Sequence, residues 1–510
     1  MEMPLVPEAE IESSYHHNKN ASRAGRSDSH HSSTTANVYQ MQPWAITCQS
    51  LNLQNLRPFM ILPVTGSVQA EAMCFFEYIS IKHLNEYQPC ERWRNILMFF
   101  SQTMPSVRYA ATALALAYRN YLDRNPRDGM RIPHPSEDSL PDKVALLHYN
   151  QAIKLLLNQE TDDHNKTTAI TLLVCYLFIC FDHLAGNYRQ AIKHLSGGVE
   201  LLRNVDKALP CHADLHDDAE SSCVRALIYH VTRQIRRLDI QAAVFLVDWT
   251  PANFQETLMS QPLPSDTAFR SFDQAADYLQ ILVSHVMRLR HTEQKMSPTG
   301  RIPTPPSSLI AIVLGRLDTW SSLFDNMLQQ NSCYERDSGI RPLISLLRLR
   351  HTISCILIRS YGSSGQMDYD CFLPQFQQCV ALARDVATAH EWYSGSLTRT
   401  FTPEIGIISV LYIIGVKCRH PVVRREVLSI LRRQAMREAV WDSICIARVV
   451  ERVIEIEEGG YGKKEIPLNM EQIGLWERIE TLSWVQSAAR VDISYTLCTQ
   501  EDLHIESLTL

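Results

Sequence analysis

The chain has 510 residues, 45% hydrophobic and 20% charged, the composition of an ordinary globular protein and enough length for roughly two to four domains. With 49 Lys and Arg against 55 Asp and Glu, its net charge of −6 argues against a dedicated nucleic-acid-binding chain, whose affinity rests on neutralising phosphates. The 14 cysteines form no C-x-x-C, and Cys175, Cys180 and Cys355 sit in apolar runs, as free thiols do in a reduced cytosol or nucleus.

Residues 1–65 form the first expected unit, a disordered polar N-terminal segment rich in Ser, Thr, His and Asn. Its start, Met1–Glu12, is acidic and without the apolar stretch of a signal peptide. The remainder, 66–510, reads as one helical domain. Gln69–Leu84, Glu91–Thr103 and the alanine-rich Pro105–Tyr121 are expected helices, and Asn125–Pro141, broken by Pro126, Pro133 and Pro135, a loop. Leu146, Tyr149, Ile153 and Leu156 recur at helical spacing and predict one buried face. Thr167–Leu184 is apolar on nearly every side and therefore central. Its apolar run, Ala169–Phe181, is shorter than the roughly 20 residues a membrane span needs. Gly186 and Asn187 end this helix, and Tyr188, Ile192, Leu195, Val199 and Leu202 resume the pattern at once, which requires an antiparallel hairpin.

Further helices are expected at Ser222–Val247, Thr267–His291, Leu309–Gln330, Pro342–Tyr361, Cys371–His390, Pro403–Lys417, Pro421–Ala435 and Trp441–Glu458. A Pro-rich loop at about 291–308 carries Pro298, Pro303, Pro305 and Pro306. Ile446, Val449, Val453 and Ile456 share one helix face, and Val491, Ile493, Tyr495 and Leu497 alternate as a short strand would. The fold class is thus all-α, an irregular multi-helix bundle of antiparallel helical hairpins with a minor strand near the C-terminus. Tyr149–Lys154 and Tyr188–Lys193 echo each other, but no third copy and no 34-residue period marks a tetratricopeptide array.

No phosphate loop, dinucleotide fingerprint, nucleophile elbow or H-E-x-x-H occurs, so no enzyme activity and no cofactor are expected. Cys211, His212, His216 and Cys223 come nearest to a metal site, yet their spacing lacks the tight repeats of zinc ligands; an acidic inter-helix loop is the plainer reading. Arg233, Arg236 and Arg237 form one basic cluster, and Arg424, Arg425, Arg432, Arg433 and Arg437 another. Both lie on amphipathic helices near Asp239, Glu426 and Glu438, with which they would pair on solvated faces. Arg424, Arg425, Arg432 and Arg433 are the candidates for an interaction surface.

Four stretches share a resemblance: Ala169–Asp182 with Gly186–Gly198; Arg237–Ala242; Pro403–Gly406 with Leu411-Tyr412, Lys417–Pro421 and Arg424-Arg425; and Trp441–Ser443 with Ile454–Glu458. In this order they resemble the regulatory, or middle homology, domain of fungal zinc-cluster (six-cysteine) transcription factors. Before residue 90 only Cys48 and Cys74 occur, neither with a cysteine two residues away, so the resemblance extends to the regulatory domain alone. Zinc binding and direct DNA reading are not carried over. The resemblance implies a transcriptional regulator in the nucleus, shuttling with the cytoplasm, that acts through other transcription factors or the transcription machinery as a homo- or hetero-dimer. The reading from a different class is a cytoplasmic helical-hairpin scaffold.

Overall fold

The computed structural model describes residues 66–87, 90–123, 140–158, 164–208, 219–246, 249–251, 266–296, 307–331, 334, 337–361, 365–395, 397–459, 469–487, 490–500 and 502–510. The expected N-terminal segment, the loop 125–139 and the centre of the 291–308 loop lie outside them.

Helix α1 (Ser67–Phe75) continues through a π-turn at Phe76–Ser80 into α2 (Ile81–His83), then come α3 (Glu91–Thr103) and α4 (Pro105–Asp123). Alanines 110, 111, 113 and 115 are all buried in α4, whose small side chains let α3, α5 and α6 approach closely. α5 (Leu140–Leu157) lies along α4, but its buried stripe is Ala145, Tyr149 and Ala152, and Leu146 is 46% exposed. The expected Leu146–Leu156 face is therefore turned by one residue, because the alanine edge fits the alanine-rich α4.

α6 (His164–Ala185) is the central helix, with every residue from Leu172 to Leu184 buried. Although long and apolar enough to cross a membrane, it is enclosed by the rest of the protein. Gly186 adopts φ +80°. The Gly186 amide donates to the His183 carbonyl and the Asn187 amide to that of Asp182 (2.8 Å), which satisfies two end carbonyls and reverses the chain. α7 (Tyr188–Ala208) packs back on α6, as its apolar spacing requires.

α8 (Ala219–Phe245), α9 (Phe272–Met296), α10 (Ser307–Gln330) and α11 (Arg341–Arg359) extend the bundle, each against its predecessor. α9 starts later than expected and runs on to Met296, so the flanks of the Pro-rich segment are helical. A 3-10 turn, Gln366–Phe372, replaces the expected helical start before α12 (Leu373–Ser394).

The C-terminal part departs most from expectation. Pro403 does not begin a helix: β1 (Arg399–Thr402) precedes it, and α13 starts only at Ile408 and ends at Lys417. Proline disfavours helix in the residue before it, and the chain stays extended there. After α14 (Pro421–Arg433), β2 (Ala435–Glu438) returns parallel to β1, with Thr400 opposite Met436, and pairs with β3 (Trp441–Asp442). Asp442 caps α15 (Ser443–Glu458) by accepting the Ile444 and Cys445 amides at 3.1 Å each.

The expected single strand is the middle of an antiparallel sheet, β4 (Ile479–Gln486), β5 (Arg490–Leu497) and β6 (His504–Thr509). A bulge between Ile479 and Thr481 shifts the alternation in β4, so Ile479 and Leu482 both face inward and no clean period-2 pattern shows in the sequence.

Candidate functional site

Three of the four family-like stretches, far apart in sequence, meet along a buried polar seam between α8, the β1–α13 turn and the α14–α15 pair. On α8, Arg237 and Gln241 are one turn apart and face the same way. Gln241 Oε1 accepts the Ile405 amide (3.1 Å), and Arg237 lies 3.9 Å from Glu404. Arg237 and Arg233 also clamp Asp277 of α9, at 3.0 and 2.9 Å, and Arg233 reaches Asp273 at 2.8 Å. These arginines thus pair with the next helix, not with Asp239, whose carboxylate accepts the Trp249 indole N–H. Arg350 of α11 donates to the Ile405 carbonyl from the opposite side.

Glu438 closes the middle of the seam. Its carboxylate accepts the amides of Gly406, Ile407 and Ile408 at 2.8–3.0 Å and the Tyr87 hydroxyl at 2.6 Å, neutralising the start of α13. Burial pushes its carboxyl upward, and the four donated hydrogen bonds oppose that. A Cβ on Gly406 would collide with the Tyr87 ring and the Glu438 carboxylate, so glycine permits this approach. Successive strand residues point to opposite faces, which explains why Glu438 does not pair with Arg437. Arg437 instead donates to the Leu184 carbonyl (3.0 Å) and to Asp442 (3.2 Å), and its guanidinium lies over Tyr121.

At one end of the seam Glu86 is held between two imidazoles. His83 Nδ1 and His390 Nδ1 donate to its two oxygens, and His390 Nε2 accepts from Thr400 Oγ1 (2.8 Å). Burial disfavours the Glu86 charge, but the imidazoles, His390 foremost, outweigh it and hold the carboxyl at about 2. At the other end, Arg419 and Arg424 converge on Glu457, all with fully buried side chains, and Glu457 also accepts the Ile479 amide at 2.8 Å. Burial pushes the Glu457 carboxyl up, yet Arg419 and Arg424 bring it to about 2.

Arg424 therefore does not belong to an interaction surface. The reason lies on α15: Glu457 and Glu458 take Arg424 and Arg425 pairwise, and burying an arginine requires such a partner. The Arg425 side chain stays 41% exposed. Arg432 pairs with Glu451 at 2.7 Å, and Arg433 donates to Thr388. Arg236 is exposed on α8. Of the metal candidates, Cys211, His212 and His216 lie outside the described residues, and Cys223 is half-buried on α8. Among the described residues no group of His, Cys, Asp and Glu is placed to hold a metal ion. The carboxylates of the seam are bound by guanidinium, imidazole or amide groups, an arrangement that fixes helices against each other.

Residues 73–234, from α1 into α8, match the fungal specific transcription factor domain. The match contains the first family-like stretch and reaches the arginine cluster of α8, while the partners of that cluster lie beyond it. The aspercryptin biosynthesis cluster-specific transcription regulator atnN of Emericella nidulans is 24% identical over 237 residues, 44% of this chain and 35% of the relative. The chain thus spans about a third of that relative's length. No solved structure matches the chain.

Proposed function

We propose that the chain is a nuclear, non-enzymatic transcriptional regulator that works through protein contacts and does not itself read DNA sequence. The observation that carries the reading is the transcription factor domain over residues 73–234. Three features support the mode of action. The net charge is −6, so no basic excess is available to neutralise phosphates. The arginines that a DNA-binding reading would draw on are spent internally, Arg237 on Asp277 and Arg424 on Glu457. The first 60 residues offer Lys19, Arg23, Arg26 and Arg57 as their cations and no paired cysteines to place a helix in the major groove.

The partners are other transcription factors or the transcription machinery, met as a homo- or hetero-dimer. The outer edge of α14, with Arg425, Arg432 and Arg433 partly exposed, is part of the contact surface. Shuttling with the cytoplasm fits regulation by a captured partner. Two measurements test the reading together. In a gel shift the purified protein alone should give weak retardation that fades steeply with salt. In a pull-down it should retain a zinc-cluster factor, and lose it when residues 66–500 are deleted. Tight sequence-specific binding by the protein alone, surviving competitor DNA at physiological salt, would refute the proposal.

A further inference from the structure

Where the C-terminal end of α4, the N-terminal part of α5 and the end of α6 converge, the packing leaves a half-open cleft of about 190 Å³ lined mainly by apolar residues. Its floor is buried Tyr121, Ala145, Phe181 and Leu184, and its mouth is exposed Leu146, Ala185 and Asn187. The space exists because alanines occupy three positions around it, Ala117, Ala145 and Ala185, at which larger side chains would close it.

We propose that this cleft is a binding site for a small, uncharged aromatic molecule of one or two rings. Size sets the class: the cleft is open at its mouth, and its volume is of the order of the roughly 150 Å³ that holds a single benzene ring in an enclosed apolar cavity, whereas a helix or strand of a partner protein could not enter. Chemistry sets the rest. Tyr121 and Phe181 are the aromatic residues of the lining, the alanines and Leu184 offer apolar walls, and Asn187, which also hydrogen-bonds to Asp182, stands at the mouth as its polar group. The cleft is also wired to the seam. Arg437 of β2 donates to the carbonyl of Leu184 and lies 5.2 Å over the ring of Tyr121, so one side chain touches two walls of the cleft. A ligand pressing on those walls changes the position of Arg437, hence of β2 and of Asp442, the cap of α15. The site stands on this geometry and does not depend on what the chain regulates.

Indole is the probe, titrated into the purified full chain by calorimetry and followed by thermal unfolding. Saturable binding with a concentration-dependent rise in Tm is expected. Ala145→Phe should fill the floor, and Leu146→Lys should obstruct the exposed mouth without touching the core; each should weaken indole at least tenfold while the circular dichroism spectrum stays unchanged. The rim variant keeps the test decisive if the floor variant fails to fold. In hydrogen exchange, indole should slow amides of Ala435–Glu438 as well as those around Tyr121. Absence of saturable binding, or equal affinity in wild type and Leu146→Lys, overturns the site. Binding that leaves the β2 amides unchanged overturns the link to the seam.

Discussion

The α6–α7 hairpin and the α13–α15 unit each enclose a central helix, α6 and α13, and they do so by different means. Around α6 the enclosed groups are almost all apolar: Leu172, Leu173, Leu177 and Ile179 are fully buried, and Tyr149 stacks on Phe178 with ring centroids 4.0 Å apart. Around α13–α15 the apolar core is threaded by charges, with Arg419, Arg424 and Glu457 enclosed together and Glu438 against the α13 amides. Apolar burial is non-directional and forgives small shifts, whereas a buried ion pair fixes one register and penalises every other. The first region is thus held mainly by apolar burial, and the second adds directional pairs that favour one arrangement of its helices.

The largest effect should come from Leu177→Asp, which places a charge without a partner in the apolar region. Loss of more than about 4 kcal/mol is expected, seen as insolubility or a collapsed thermal transition. A variant as stable as the parent would show that α6 is not the centre. Next, Glu457→Ala leaves Arg419 buried without a carboxylate and Arg424 with only Glu458 at 3.7 Å, and should cost about 3–5 kcal/mol in urea unfolding. Replacing all three residues with apolar side chains of similar volume should recover much of that loss; no recovery would mean that the charges themselves, not their mutual satisfaction, are required.

Acid should separate the two regions by sign. The Glu457 carboxyl sits at about 2 in the folded state against an ordinary 4.5, so its contribution is complete above about 4.5 and disappears as pH falls toward 2. Asp182, at the end of α6, behaves in the opposite way. Burial lifts its carboxyl to about 6, against hydrogen bonds from Asn187 and Tyr149 that favour the charge. Its ionisation therefore disfavours the folded state above that pH, and lowering pH from about 6 toward the ordinary 3.8 relieves the strain. Asp182→Asn should flatten the stability profile between pH 7 and 4, while Glu457→Gln should flatten it below 4.5. Identical profiles for both variants would erase the distinction. The smallest effect belongs to Arg425→Ala. That pair with Glu458 is half open to solvent, and its loss should cost about 0.2–1 kcal/mol and shrink further in high salt.

The helices were legible because apolar periodicity is a local signal. Glu91–Thr103 ends where Met104 turns extended, and Gly186-Asn187 announces its own reversal. The strands β1 and β2 were not legible, since four-residue segments lining a core carry no useful alternation, and Pro403 looked like a helix start. Arg424-Arg425 looked like a solvated pair because the partners that bury Arg424 are elsewhere in the chain. Still, a sign was present: Arg424 and Arg425 each meet a glutamate 33 residues on, so one dipeptide of arginines answers one dipeptide of glutamates. Glu438 beside Arg437 was misread for the opposite reason, since adjacency in a strand separates side chains that adjacency in text joins.

The hydrogen bond from Tyr87 to Glu438 closes a span of 351 residues, and the Glu86–His390 contact one of 304. During synthesis at roughly 5–20 residues per second, Glu438 leaves the ribosome on the order of 20–70 s after Tyr87. Through that interval the turn holding Glu86 and Tyr87 has neither its imidazole from α12 nor its carboxylate from β2, and the apolar face of α4 that β1 later covers stays open. Truncations after α12, which remove the carboxylate and the strand these contacts wait for, are therefore expected to lower the abundance of folded protein far more sharply than their length suggests.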